Sequence, residues 1–302
     1  MPPEPTFEII INSGSGANDK EGVRRQVTEI FAASGHSARI SLVLSGVELV
    51  ELAHQAMQGH SETIIAGGGD GTVNAIASVL VNGNKTLGVL PLGTLNHFAK
   101  DLHIPLDLRG ATQTIIAGHT IKVDIGEVNG RIFLNNSSLG LYPSIVRERE
   151  RKQRLGAGKW PAFVWAAITV LRRYPFLDVR LNANGKEIAS RSPFVFVGNN
   201  EYEMESFNIG RRARLDAGVL SLYITQGTGR LGLLRLAVRA LLGDLRHEKD
   251  FISLRTQEVL IDTRHQRLRI ATDGEITLVE PPLHYRVRPG SLRVLVPGEI
   301  AE

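Results

Sequence analysis

An apolar run that stops abruptly in glycine constrains this chain more than any other feature. Thr63 to Ala66 is β-branched and apolar and ends in Gly67, Gly68 and Gly69, the pattern of a buried strand entering a turn. From Val73 the apolar residues fall at Val73, Ile76, Ala77 and Leu80, the spacing of one helix face. The stretch therefore predicts strand, glycine loop, helix. Successive glycines leave the backbone free to take positive φ and put no Cβ in the way of a ligand approaching the N–H groups. Those groups, with the positive end of the helix dipole, suit an anion such as phosphate. A plain tight turn between strand and helix is the alternative.

Asp70 follows the glycines and would repel a phosphate unless a cation lies between them, or unless it binds a hydroxyl or a backbone donor. Mg²⁺ is commonly held by one or two carboxylates together with substrate phosphates, so the pairing suggests a Mg²⁺-nucleotide site. No Gly-Lys-Ser/Thr follows, which excludes a Walker A loop, and the Gly-x-Gly-x-x-Gly order of the dinucleotide fingerprint is missing.

The rest of the first 122 residues repeats the theme. Phe7 to Ile11 reads as a strand ending in Asn12-Ser13-Gly14-Ser15-Gly16, with a helical pattern through Val23, Val27, Ile30 and Phe31 behind it. Ala38 to Leu44 reads as a strand, Val47 to Met57 as a helix and Thr86 to Leu90 as a further strand. Alternating strands and helices imply a parallel sheet, in which ligands bind beyond the carboxyl ends of the strands. At that edge the last strand gives Gly93, Thr94 and Asn96, with Thr94 placed as a helix N-cap or a phosphate ligand.

Past Ile121 the pattern changes to strands separated by turn residues: Val123 to Asn135, Phe176 to Ala183, Glu187 to Gly198, Val219 to Thr225, Val259 to Ile261, Arg267 to Ala271 and Leu292 to Val296. We expect two domains: residues 1–122, an α/β Rossmann-like parallel-sheet domain, and residues 123–302, an all-β, sandwich-like domain whose tail can return to the first. Two helical patterns interrupt the second half, Arg147 to Tyr174 and Leu231 to Leu245, each with basic residues beside an apolar face. Such a stretch either docks on an anionic membrane surface or is a solvated face over a packed one. Thr272-Asp273-Gly274-Glu275 by itself reads as a hairpin loop.

Composition removes several classes. With no cysteine among 302 residues there is no disulfide framework, thiolate metal site or cysteine nucleophile, which fits a reducing cytoplasm. A net charge of +4 from 35 basic and 31 acidic residues does not call for nucleic acid, although a pI near 9.5 suits an anionic surface. The N-terminus lacks a secretory pattern, and the apolar run Trp160 to Leu171 is too short to span a bilayer.

Taken together, Asn12 to Gly16, Gly68-Gly-Asp-Gly-Thr72 with Asn74, Gly93-Thr-Leu-Asn96 with Phe98 and Ala99, Asn136 to Gly140 and Asp273-Gly-Glu275 resemble the bacterial diacylglycerol kinase-like lipid kinases from about residue 6 to about residue 297. Gly-Gly-Asp-Gly is shared with NAD kinases and phosphofructokinases; the Gly-Thr-x-Asn turn and the late Asp-Gly-Glu favour the lipid kinase branch, which includes sphingosine kinase relatives. The resemblance implies an ATP-dependent lipid kinase with its active site in an interdomain cleft. It implies ATP contacts from Asn12, Ser13, Gly14, Ser15, Gly16, Gly67, Gly68, Gly69, Asp70, Gly71, Thr72, Asn74, Gly93, Thr94 and Asn96. Asp70 would lie by the phosphates and the catalytic Mg²⁺, and Glu275 would be the general base toward the lipid hydroxyl.

The chain departs from the family pattern twice. Where many members carry Asp-Asp-Gly, with the second Asp tied to a structural Mg²⁺, this chain has Asp216-Ala217-Gly218, so Asp216 is the carboxylate left to substitute. His97 stands where an Asp commonly follows the Gly-Thr-x-Asn turn. The partners implied are ATP, Mg²⁺ and a lipid met at the inner face of the membrane by an otherwise cytoplasmic protein, with no nucleic acid; a homodimer is compatible. Two other readings stay open: an NAD kinase-like enzyme acting on a soluble nucleotide, and a lipid-binding regulatory protein with little catalysis.

Overall fold

The computed structural model describes residues 7–14, 19–81, 83–140, 177–183, 185–205, 208–212, 214–225 and 251–298. The helical expectations over 147–174 and 231–245, and residues Ser15 and Gly16, lie outside them. The chain divides into two compact units, Met1–Ile125 with Pro289–Glu302, and Gly126–Arg288. Among the described residues no helix is long and apolar enough to cross a membrane.

The first unit alternates strand and helix: β1 (Phe7–Asn12), α1 (Lys20–Ala33), β2 (Ala38–Val43), α2 (Gly46–Gln58), β3 (Thr63–Gly68), α3 (Asp70–Leu80), β4 (Thr86–Pro91), α4 (His97–Asp101) and α5 (Leu108–Ala117). The strands pair in parallel in the order β2-β1-β3-β4. Ile9, Ile10, Ile11, Ile64, Ile65 and Ala66 are all fully or almost fully buried, as strands covered on both faces require. The helices pack as α1 with α5 and α2 with α3. From β1 the chain moves one way to β2 and from there back past it to β3, so right-handed crossovers place α1 and α2 on opposite faces. That reversal makes the carboxyl ends of β1 and β3 the crevice where such sheets bind ligands.

The second unit is built from β5 (Thr120–Val128, which begins in the first unit), β6 (Arg131–Phe133), β7 (Asn136–Gly140), β8 (Leu177–Ala183), β9 (Lys186–Ser192), β10 (Phe194–Asn199), β11 (Tyr202–Glu205), β12 (Asn208–Arg212), β13 (Leu220–Thr225), β14 (Phe251–Thr256), β15 (Glu258–Thr263), β16 (Leu268–Thr272), β17 (Glu275–Val279) and β18 (Leu283–Leu295), the last of which runs on into the first unit. One antiparallel sheet runs β14-β13-β10-β7-β16-β17, and β15 pairs antiparallel with β18 and β8, which carries β9 at its edge. Alternation along β8 buries Leu177, Val179, Leu181 and Ala183. These join Val195 and Val197 of β10, Leu220, Leu222 and Ile224 of β13, and Tyr285 of β18 in a single apolar cluster. Each Leu, Val or Ile among them contributes roughly 1.5–3 kcal/mol on burial. Tyr285 is fully buried; its hydroxyl shares a 3.0 Å hydrogen bond with Ser137, and burial pushes its pKa upward, so the phenol stays protonated. The last residues of β18, Arg293 and Val294, pair in parallel with β4.

The structure corrects several boundaries. The expected strand Val123 to Asn135 is broken at Asn129 and Gly130, whose φ values of 46° and 81° make a two-residue hairpin turn. The expected strand Glu187 to Gly198 is two, interrupted at Pro193, which has no N–H for a ladder. Helix α5 and strands β7, β11, β12, β14 and β17 were not foreseen.

Candidate active site

Three loops meet at the carboxyl edge of the first unit's sheet. Asn12, the last residue of β1, donates its amide N–H to Thr72 Oγ1 (3.1 Å) in the first turn of α3, and its Oδ1 accepts from the Gly14 N–H (2.9 Å). The loops after β3 and β4 touch through their backbones: a Cβ at Gly93 would lie 2.4 Å from Gly69 Cα. Asp70 Oδ1 accepts the Phe98 N–H (3.2 Å), which ties α3 to the start of α4.

The glycines act by close approach and not by special torsions. None of Gly67, Gly68, Gly69 and Gly93 has a positive φ, and Gly69 is extended at φ −89° and ψ −175°, which corrects the torsional half of the expectation. A Cβ on Gly67 would lie 2.7 Å from Ile11 Cγ1, and one on Gly68 would lie 2.4 Å from Thr72 Oγ1. Small residues thus let strand, loop and helix close on one another.

The first turn of α3 is left open. Asp19, Ser45 and Asp107 cap α1, α2 and α5 through their side chains, whereas α3 begins behind Gly69 with no side-chain cap bond. The first N–H groups of a helix have no intrahelical acceptor, so those of Gly71 and Thr72 project from a positive dipole end beside Asp70. The second carboxylate oxygen of Asp70 has no hydrogen-bond partner among the described residues. An oxygen donor of this kind beside an anion cradle suits Mg²⁺, which needs few protein ligands when phosphates supply the rest. Among the described residues no group of three or more His, Asp or Glu could hold a metal without such help.

The other expected residues fall as follows. The Ser13 N–H donates to Val43 O (2.7 Å). Thr94 and His97 are exposed. Asn96 is buried in the left-handed conformation (φ 49°), and its side chain accepts from Gly93 N–H (3.1 Å) and donates to Gly93 O (2.9 Å) and Pro91 O (3.3 Å). It shapes the turn that touches Gly69. Asn74 sits in the second turn of α3, with its side-chain oxygen buried and without a hydrogen-bond partner among the described residues.

Glu275, in the second unit, is exposed at the start of β17, paired in register with Thr272. Asp216 is exposed, and both its oxygens engage Arg214, at 3.0 Å from Nε and 3.3 Å from Nη2. Among the described residues Asp216 thus meets a cationic side chain and no further carboxylate or imidazole, a donor set that does not fit a structural metal ion.

A buried polar cage in the same unit went unnoticed in the sequence. The backbone at Leu134 to Asn136 donates three N–H groups to the Asp273 carboxylate at 2.7–3.0 Å. Arg212 donates to Leu134 O (2.6 Å), Asn199 O (3.2 Å) and Asn135 Oδ1 (2.8 Å), and Tyr202 donates its hydroxyl to Asn135 O (2.9 Å). Burial pushes the Asp273 carboxyl up to about 6, against the opposing pull of the three N–H groups and Arg212. No spacing rule links positions 61 residues apart such as Arg212 and Asp273; only the topology brings them together.

Comparison with known proteins covers most of the chain. Residues 6–128 match the family described as Diacylglycerol kinase catalytic domain, and residues 142–296 match the YegS C-terminal NAD kinase beta sandwich-like domain. A diacylglycerol kinase of Staphylococcus carnosus (strain TM300) is 28% identical over 274 residues, 88% of this chain and 87% of that one. A Staphylococcus aureus (strain JH9) diacylglycerol kinase is 28% identical over 74% of this chain and 71% of its own. A crystal structure of a diacylglycerol kinase from Bacillus anthracis str. Sterne superposes with a TM-score of 0.73 at 21% identity, covering 98% of both chains.

Proposed function

We propose, since this chain belongs to the diacylglycerol kinase family and is a lipid kinase-like enzyme, that it transfers the γ-phosphate of ATP to the hydroxyl of diacylglycerol or a closely related lipid. The observation that carries the nucleotide half is the uncapped first turn of α3 beside Asp70, held open by the Gly69–Gly93 backbone contact. Phosphoryl transfer asks mainly for positioning and charge neutralisation. The N–H groups of Gly71 and Thr72 and the loops at Asn12 to Gly14 and Gly93 to Asn96 would bind and orient the triphosphate. Asp70 and the phosphates would hold Mg²⁺, which when bound neutralises charge developing on the transferred group. Glu275, an exposed carboxylate with no hydrogen-bond or ion-pair partner among the described residues, would take the proton of the acceptor hydroxyl.

The described match of the second half to an NAD kinase-like sandwich favours one competing reading, a soluble nucleotide as acceptor. The two separate by partition of product. With γ-labelled ATP, Mg²⁺, extracted total lipid and NAD present together, label is expected in the organic phase. A product found solely in the aqueous phase overturns the lipid assignment.

A further inference from the structure

We propose that Asp273 is a positioning residue for Glu275: its carboxylate, gripped by three consecutive backbone N–H groups, fixes the hairpin from which Glu275 projects, and does so only as the anion. This deepens the assignment of Glu275 as base and rests on it.

The hairpin joins β16 to β17 through Asp273 (φ 47°) and Gly274 (φ 87°), two left-handed residues in the pattern of a tight primed turn. Glu275 follows directly, so its direction is set by that turn. The Asp273 N–H donates to Asn136 O (2.9 Å). Its Oδ2 accepts from Leu134 N–H (2.7 Å), and its Oδ1 accepts from Asn135 N–H (2.8 Å) and Asn136 N–H (3.0 Å). The far side of the same backbone is held by Arg212, Asn199 and Tyr202. The Asp273 side chain thus adds three bonds to a braced segment that the hairpin already meets through the Asp273 N–H and the β16–β7 ladder.

Only an ionised carboxylate offers acceptors at both oxygens without a donor of its own. A protonated acid, or an asparagine, would aim a donor at one of the three N–H groups. Among the described residues the charged group acting on Asp273 is Arg212 from β12; Leu134, Asn135 and Asn136 bring no titratable side chain, and Glu275, on the same hairpin, is exposed. With the carboxyl raised from 3.8 to about 6, the folded protein binds this proton more readily than the unfolded chain between those values. The group's contribution to stability therefore rises as pH falls through that window, while the mooring loses an acceptor. Positioning thus predicts that replacing Asp273 changes the pH dependence of kcat as well as that of stability; a purely structural role predicts a change in the pH dependence of stability alone.

The test compares wild type, Asp273→Asn, Gly274→Ala and Glu275→Gln for kcat, KM for ATP, pH–rate profile and thermal midpoint. Asp273→Asn is expected to lower kcat about 10- to 100-fold, the scale of a small misplacement, with KM for ATP unchanged and a pH–rate profile that keeps only the fall due to Glu275. Gly274→Ala, whose Cβ meets nothing within 4 Å, strains only the turn and is expected to lower kcat with both carboxylates present. Should Asp273→Asn not fold, Gly274→Ala still decides: kcat unchanged in that variant overturns the proposal. Full turnover in Asp273→Asn with the acid limb intact overturns the proposal. So does a loss equal to that of Glu275→Gln when Gly274→Ala is unaffected, which would make Asp273 the reacting acid. A fully active Glu275→Gln enzyme instead indicts the base assignment itself.

Discussion

Replacing Glu275 by glutamine is expected to lower turnover by about 10²- to 10⁴-fold, the usual contribution of a positioned general base, while leaving the thermal midpoint and the affinity for MgATP near wild type. The side chain is exposed at the first residue of β17 and its backbone pairs with Thr272. Glutamine keeps its size and hydrogen-bonding reach but cannot accept a proton. Surface replacements of this kind usually change stability by no more than about 0.5 kcal/mol, so a loss of rate cannot be attributed to unfolding. Steady-state kinetics with an excess of lipid, together with a calorimetric titration of MgATP, check it. Wild-type turnover in this variant would remove Glu275 from the mechanism.

Asp70→Asn is the second large effect expected. The amide oxygen can still accept the Phe98 N–H that Oδ1 accepts now at 3.2 Å, so the link from α3 to α4 survives and the fold with it. What is lost is the negative charge toward a cation on the phosphates. Removing one preorganised electrostatic partner of a transition state costs on the order of 10²- to 10³-fold in kcat, and the Mg²⁺ concentration needed for half-maximal rate should rise. Titrating Mg²⁺ at saturating ATP checks both. Unchanged kcat and unchanged Mg²⁺ dependence would show that Asp70 serves only as an anchor for α4.

Much of the first unit was legible because its signals are local. Thr63 to Ala66 followed by glycines locates β3 and its loop, and the 3.6-residue periodicity from Val73 locates α3, although the strand runs on through Gly68 and the helix starts earlier, at Asp70. The reason for the glycines was only half visible. Sequence shows that a Cβ is missing at 67, 68 and 93, but not that Ile11, Thr72 and Gly69 lie where it would go. In the second unit the alternation of Leu177, Val179 and Leu181 was readable, as was the two-residue hairpin at Asn129-Gly130, a strong local signal that the strand assignment passed over. The mooring of Asp273 was not readable, because its partners at 134–136 come from the other end of the unit and contribute backbone, which carries no side-chain code. The resemblance found Asp-Gly-Glu as a unit and the local pattern placed it in a hairpin loop; the structure adds the backbone partners of its first residue and the exposure of its last.

In the mechanism proposed above, main-chain amides at the ends of β1, β3 and β4 hold one triphosphate. Amide chemical shifts of isotope-labelled protein titrated with a non-hydrolysable ATP analogue and Mg²⁺ test it most directly. The largest changes are expected at Asn12 to Gly14, Gly67 to Asn74 and Gly93 to Asn96, with Gly71 and Thr72 foremost. Saturable binding that leaves those amides unmoved and shifts others instead would contradict it.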